Sequence, residues 1–160
     1  MIDGYVELLA IVGALGAGLN AGVFYAFSTF VMQALGRLPS KAAVEAMQAI
    51  NIEAPRPGFM VVFMGMAAVS VILAISSIGR LDEPAAVYQL VGSGSYLVGV
   101  VLTGMFHVPR NNTLAQMDPD TAAAAQAWSV YLRTWTRGNH VRTFTSLAAS
   151  LMLILGLLAG

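Results

Sequence analysis

With 160 residues, 58% hydrophobic and only 10% charged, and a mean hydropathy of +0.74, the chain lies outside the range of soluble domains. It has room for about four helices of the roughly 20 residues that cross a bilayer. Eight basic residues balance eight acidic ones with no basic run, which excludes nucleic acid as a partner, and the absence of cysteine excludes disulfides, thiol catalysis and thiolate metal sites.

Charge-free windows run from Leu8 to Gly36, Pro57 to Gly79, Pro84 to Phe106 and Thr143 to Gly160. The fold expected is all-α: an integral membrane four-helix bundle forming a single transmembrane domain over 1–160, with spans near 6–36, 57–79, 84–106 and 140–159. Short amphipathic helices are expected in the two long connections. In the first, Ser40 is a candidate N-cap, Ala43, Val44, Met47 and Ile50 recur at helical spacing, and Pro55 and Pro57 end the run. The second connection, RLDEP, is a turn. In the third, Asp118 followed by Pro119 reads as an N-cap with proline at the first helical position, and Ala124, Trp128, Tyr131, Leu132 and Trp135 mark one face.

Arg37, Lys41 and Arg56 fall in the first connection, and Arg110, Arg133, Arg137 and Arg142 in or beside the third, against Arg80 alone on the other side. The positive-inside rule then predicts both termini outside and both long connections in the cytoplasm, in an inner or plasma membrane. In the first span Ala10, Ala14, Gly18, Gly22 and Ala26 recur every four residues; Ser95, Gly99 and Thr103 do so in the third, and Ser146 and Ser150 in the fourth. Such small-residue faces let backbones approach closely, within the bundle or between copies in a homo-oligomer. Asn20, near the centre of the first span, must find a partner for its amide, and is expected to face the bundle, for interhelical hydrogen bonding or for substrate handling.

Polar residues able to bind or react gather at one end: Gln48 and Asn51, then Asn111 and Asn112, then Trp128, Trp135, Asn139, His140 and Arg142. Paired carboxylates within a span, HExxH, a phosphate-binding glycine loop and a nucleophile elbow are all absent. His107 and His140 are the only histidines, too few for an all-histidine metal site, so carboxylate help would come from Glu45 or Glu53; one histidine would suffice to bind haem axially, though nothing else signals haem. At about 100° per residue, Trp128, Trp135 and Arg142 share a face with Asn139, whereas His140 is rotated by roughly 140° from Trp135. Only a break at Gly138 would bring His140 onto that face. The alternative for the run is an interfacial anchor, where Trp, Arg and His are all at home.

Taken in order, NAGVFYAFS, MQAIN, VPRNN and W..YLRTWTRGNHVRT resemble the anthrone oxygenase-like family of small four-helix membrane proteins over nearly the full chain. Arg110 departs from the apolar residue expected within VPRNN, and His107 is not carried over from the family pattern. The resemblance implies oxidation of an anthrone-like phenolic polycycle by molecular oxygen without metal or flavin. That chemistry needs a base, donors for an aromatic phenolate and a flat apolar slot. His140 is then the candidate base and Arg142 balances the anion; Asn51, Asn111 and Asn112 donate hydrogen bonds, and Trp128 and Trp135 stack on the rings. The competing class is a non-catalytic membrane protein, either binding a hydrophobic small molecule or serving as a subunit; a transporter is weaker, since no span carries an acid or base for ion coupling.

Overall fold

The computed structural model describes residues 2–160, with side chains from residue 4 onward. Helix α1 (Ile2–Ala26) passes through a π-helical turn (Phe27–Val31) into α2 (Met32–Leu35). Then follow α3 (Ser40–Glu53), α4 (Pro57–Ile78), α5 (Pro84–Leu102), a second π-helical turn (Thr103–His107), α6 (Val108–Ala115) and α7 (Ala122–Leu158). Four stretches, Gly4–Leu35, Pro57–Ile78, Pro84–Ala115 and Ala122–Leu158, are long and apolar enough to cross a membrane. Proline at the first position starts α4 and α5, after extended Arg56 and Glu83, where its missing N–H costs nothing.

Four expectations are corrected. Ser40 does not cap α3 but is its first residue, with Pro39 at the cap and no side-chain bond. Asp118 and Pro119 form a turn rather than a helix start, because the Asp118 carboxylate accepts from the Asp120 N–H and Thr121 becomes the cap, accepting from the Ala124 N–H at 3.2 Å. No separate amphipathic helix follows: α7 runs unbroken for 37 residues, about 55 Å, far longer than the roughly 30 Å of a hydrocarbon core. The third span likewise continues to Ala115 instead of ending near residue 106.

The long helices form a ring in which α1 packs on α7 and α4, and α5 packs on α7 and α4. Along the buried face of α1, Val6, Ala10, Ala14, Ala17, Ala21 and Phe24, continued by Ser28 in the π-helical turn, recur in steps of four and three, with Gly13 and Asn20 buried beside them, while Gly22 of the expected every-fourth seam is exposed. A strict step of four drifts by about 40° each time, whereas the alternation keeps one face on its neighbour. Ser150 of α7 bonds the Ala14 carbonyl at 2.9 Å within this contact. Asn20 is buried as expected, yet its amide donates to Gly16 of its own helix at 2.9 Å, with no interhelical bond among the described residues.

Two apolar cores result. One, within the ring, is built around Phe24, Phe63, Met66, Leu73, Tyr96 and Leu153, with the Tyr96 hydroxyl donating to the Phe63 carbonyl at 3.0 Å. The other joins α2, α3, α6 and the first half of α7 through Met32, Val44, Met47, Leu114, Trp128 and Trp135. A 2.7 Å ion pair between Lys41 and Asp120 fastens α3 to the turn before α7. On the outer face of α7, Arg133, Arg137 and His140 are exposed, followed by exposed Phe144, Leu147, Leu151, Ile154 and Leu158. Polarity therefore changes between His140 and Phe144, where hydrocarbon would meet headgroups.

Candidate functional site

The two cores meet at a buried polar cluster. Both π-helical turns border it, and each is a place where a helix carries one residue more than its regular turn allows and re-aims its side chains. The first supplies Ser28, the second Thr103 and His107, and α7 supplies Trp135, Asn139, Arg142 and Thr143.

Asn139 is the hub. Its Nδ2 donates to the Phe24 carbonyl at 2.6 Å and to Ser28 Oγ at 2.8 Å, and its Oδ1 accepts from Arg142 Nη2 at 2.7 Å. Ser28 Oγ lies 3.1 Å from Thr143 Oγ1. Arg142 reaches Thr103 Oγ1 at 3.4 Å and lies against two ring faces, 4.5 Å from the Phe24 centroid and 5.0 Å from Trp135. Such cation–π contacts contribute roughly 0.5–2 kcal/mol each. No carboxylate answers its charge: the ion pairs among the described residues are Lys41–Asp120, Arg56–Glu53 and Arg80–Glu83. Its Nε, although buried, has no hydrogen-bond partner among the described residues. A buried cation without an acid is costly, which makes Arg142 a candidate to receive negative charge.

His107 completes the cluster. It is 1% exposed, with its ring edge-on to Trp135 at 5.2 Å and to Phe106 at 5.2 Å. Nδ1 lies 3.4 Å from the Leu102 carbonyl, and Nε2 is buried with no partner among the described residues. The neighbour that makes room is Gly138, where an added Cβ would fall 2.5 Å from Phe106 and 3.0 Å from His107. Glycine is required there for close approach of α7 to the second π-helical turn, not for a bend.

The convergence of His140 with the Trp/Arg face, which needed a break at Gly138, does not occur: α7 is continuous and His140 is exposed on its outer side. Trp135, Asn139 and Arg142 do share the inward face. Asn111 joins them as an acceptor, its Oδ1 taking the Trp135 indole N–H at 3.0 Å and the Tyr131 hydroxyl at 2.8 Å. Asn112 is exposed. Trp128 lies in the outer core, stacked on Tyr131 at 5.7 Å. Gln48 donates to the Leu114 and Met117 carbonyls at 2.9 Å each, satisfying the end of α6 rather than facing the cluster. Asn51 is half-buried on α3, its Nδ2 without a partner among the described residues. Glu45 and Glu53 are exposed, Glu53 pairing with Arg56, and no three His, Asp or Glu residues gather to hold a metal ion among the described residues.

Beside the cluster, a groove of about 580 Å³ opens between α6 and α7, with Arg110, Leu114, Met117, Ala127, Val130 and Tyr131 among its walls. Tyr131 and Asn111 stand between it and Trp135. Sequence reasoning did not single out Ser28 or Thr143, read Thr103 only as a packing residue and did not carry His107 into the site. For His107 the signal was present: an ionisable residue at the end of an apolar span is a site candidate by default.

A family model described as anthrone oxygenase matches residues 59–152. Neither a curated protein nor a solved structure matches the chain. The matched stretch contains His107, Asn111, Trp135, Asn139 and Arg142.

Proposed function

The chain belongs to the anthrone oxygenase family, and from that footing we propose that it is a cofactor-independent oxygenase of an anthrone-like phenolic polycycle, with both termini outside the cytoplasm. The observation that supports this best is the buried Arg142, which has no acid partner among the described residues and packs against Trp135, the same ring that His107, its Nε2 unpartnered among those residues, meets edge-on. An anthrone loses a proton from its central methylene carbon to give an extended aromatic phenolate. His107 Nε2 takes that proton and Arg142 balances the anion.

The phenolate then passes one electron to oxygen, and radical recombination forms a carbon–oxygen bond to give a peroxide that takes up a proton. Loss of the second methylene hydrogen breaks the O–O bond, leaving a new carbonyl and one water. Anthrone plus O2 thus becomes anthraquinone plus H2O, with no external reductant. The substrate's rings occupy the groove beside Tyr131, and opening of the Tyr131–Asn111 contact brings its reacting carbon to Arg142 and His107.

His107 replaces His140 as base in this assignment because His140 stands on the outer face of α7. The test is turnover of an anthrone by purified His107→Gln and His140→Ala proteins. His107→Gln is expected to lower kcat by about 100-fold or more, and His140→Ala to change it by less than about twofold. The reverse pattern would move the base back to His140.

A second reading, a non-catalytic binder of a hydrophobic small molecule, is favoured by one observation: the groove lies beside the cluster, not within it. Binding without oxygen uptake separates the two.

A further inference from the structure

We propose that the α6–α7 groove selects an aromatic carboxylic acid, an apolar polycycle bearing one anionic group, which Arg110 receives at the groove's edge. This rests on placing the substrate in that groove, but it concerns binding alone and is read without turnover.

Three observations carry it. First, the walls are mostly apolar, through Leu114, Met117, Ala127 and Val130, and a groove of about 580 Å³ is the size that takes a molecule of several fused rings. Second, among the described residues Arg110 is the one charged residue lining it and no carboxylate does, so the groove's electrostatics favour a single negative charge beside Arg110. Arg110 is also held in place, because its guanidinium stacks on Phe106, 3.5 Å from the ring centroid, and Nη1 donates to the Phe106 carbonyl at 2.8 Å. A guanidinium fixed by stacking loses little freedom on meeting a carboxylate, and its remaining N–H groups can form a charge-assisted pair.

Third, the wall supplies a flat surface. Trp128, Tyr131 and Trp135 form a near-parallel ladder, with successive centroids 5.7 and 6.3 Å apart at 21° and 26°, and Tyr131 lines the groove. Planar rings match the Tyr131 face, which the two flanking tryptophans hold in place, better than a flexible alkyl chain, which would lose more rotational freedom on binding. The position also suits an amphiphile. Val98, Val101, Met105 and Val108 are exposed along the third span just before Arg110, so rings reach the groove from the apolar belt while the acid stays at its polar edge.

The experiment titrates detergent-purified protein with anthraquinone-2-carboxylate and with uncharged anthraquinone, following quenching of tryptophan fluorescence. Both probes are already fully oxidised, so failure of the oxygenase reading leaves this measurement untouched. Wild type is expected to prefer the carboxylate. Arg110→Gln is expected to weaken the carboxylate by about tenfold or more and the uncharged quinone by less than about twofold. Arg110→Lys, which keeps the charge but loses the stacked guanidinium, is expected to retain only part of the carboxylate preference, and Ala127→Trp, which fills the groove, to lose both probes.

Equal affinity of Arg110→Gln and wild type for the carboxylate would overturn the proposal. So would unimpaired binding by Ala127→Trp, which would place the ligand elsewhere. Palmitate tested as competitor is expected to displace the carboxylate weakly; displacement at equal concentration would make a lipid acyl chain the occupant and overturn the aromatic assignment.

Discussion

Gly138 leaves no room for a methyl group, since an added Cβ would meet Phe106 at 2.5 Å and His107 at 3.0 Å. Gly138→Ala should therefore push the second π-helical turn away from α7 and cost about 1–3 kcal/mol, as overpacking does. Gly22→Ala is the internal control: nothing lies within 4 Å of its added Cβ, and a helical Gly→Ala change there should gain about 0.5–1 kcal/mol. Thermal midpoints of the two proteins in one detergent check the pair, and a destabilised Gly22→Ala or an unaffected Gly138→Ala would contradict the packing described. Much of the residue pattern was legible in the sequence. Seven-residue spacing places Trp128, Trp135 and Arg142 on one face of α7, and they do point inward. The partners of Arg142 were not legible. Ser28 and Thr103 come from other helices, and their aim depends on π-helical turns that no apolar periodicity reveals.

Among the elements, the apolar windows located all four long helices, because bilayer thickness and hydrocarbon contact constrain length and composition together. What they missed was continuity. A charged helix beyond the membrane looks like a connection in a hydropathy reading, so the first half of α7 reads as a separate element. The Lys41–Asp120 pair joins this projecting part to α3. The hydrogen bond and charge of Asp120 hold the Lys41 pKa above its ordinary 10.5. A cation whose folded pKa is raised contributes its stability fully below the unfolded value and loses it as pH rises through the folded one. The difference in thermal midpoint between wild type and Lys41→Met should therefore be constant through neutral pH, begin to fall at about pH 10.5 and disappear once pH passes the raised folded value. It should also be small and shrink with added salt, since both partners are well exposed. A gap that persisted at about pH 12 would place the effect of Lys41 in its packing instead.

For the molecule as a whole, the arrangement is a ring of apolar helices with a polar outer half built on α7, and the candidate site at their junction. Seven basic residues lie in or beside the two long connections and one in the short turn, so the outer half should face the cytoplasm. The chain has no cysteine, which makes labelling clean. In intact cells, a single cysteine at Asp82 should react with a membrane-impermeant maleimide and one at Ser129 should not; the opposite pattern would invert the topology. Composition alone made the membrane class plain, whereas the meeting of two cores depends on tertiary packing that a single chain reading does not expose.

Oxygen uptake by purified wild-type protein on an anthrone, with quinone formation followed on the same sample, bears on the whole mechanism at once. The expected result is one O2 consumed per quinone formed, at a rate well above the protein-free autoxidation, and a loss of about 100-fold or more when Arg142 is replaced by Met with protein that still folds. Quinone formation no faster than in buffer, or an Arg142→Met protein as active as wild type, would remove the oxygenase assignment and leave a membrane protein that binds such molecules without transforming them.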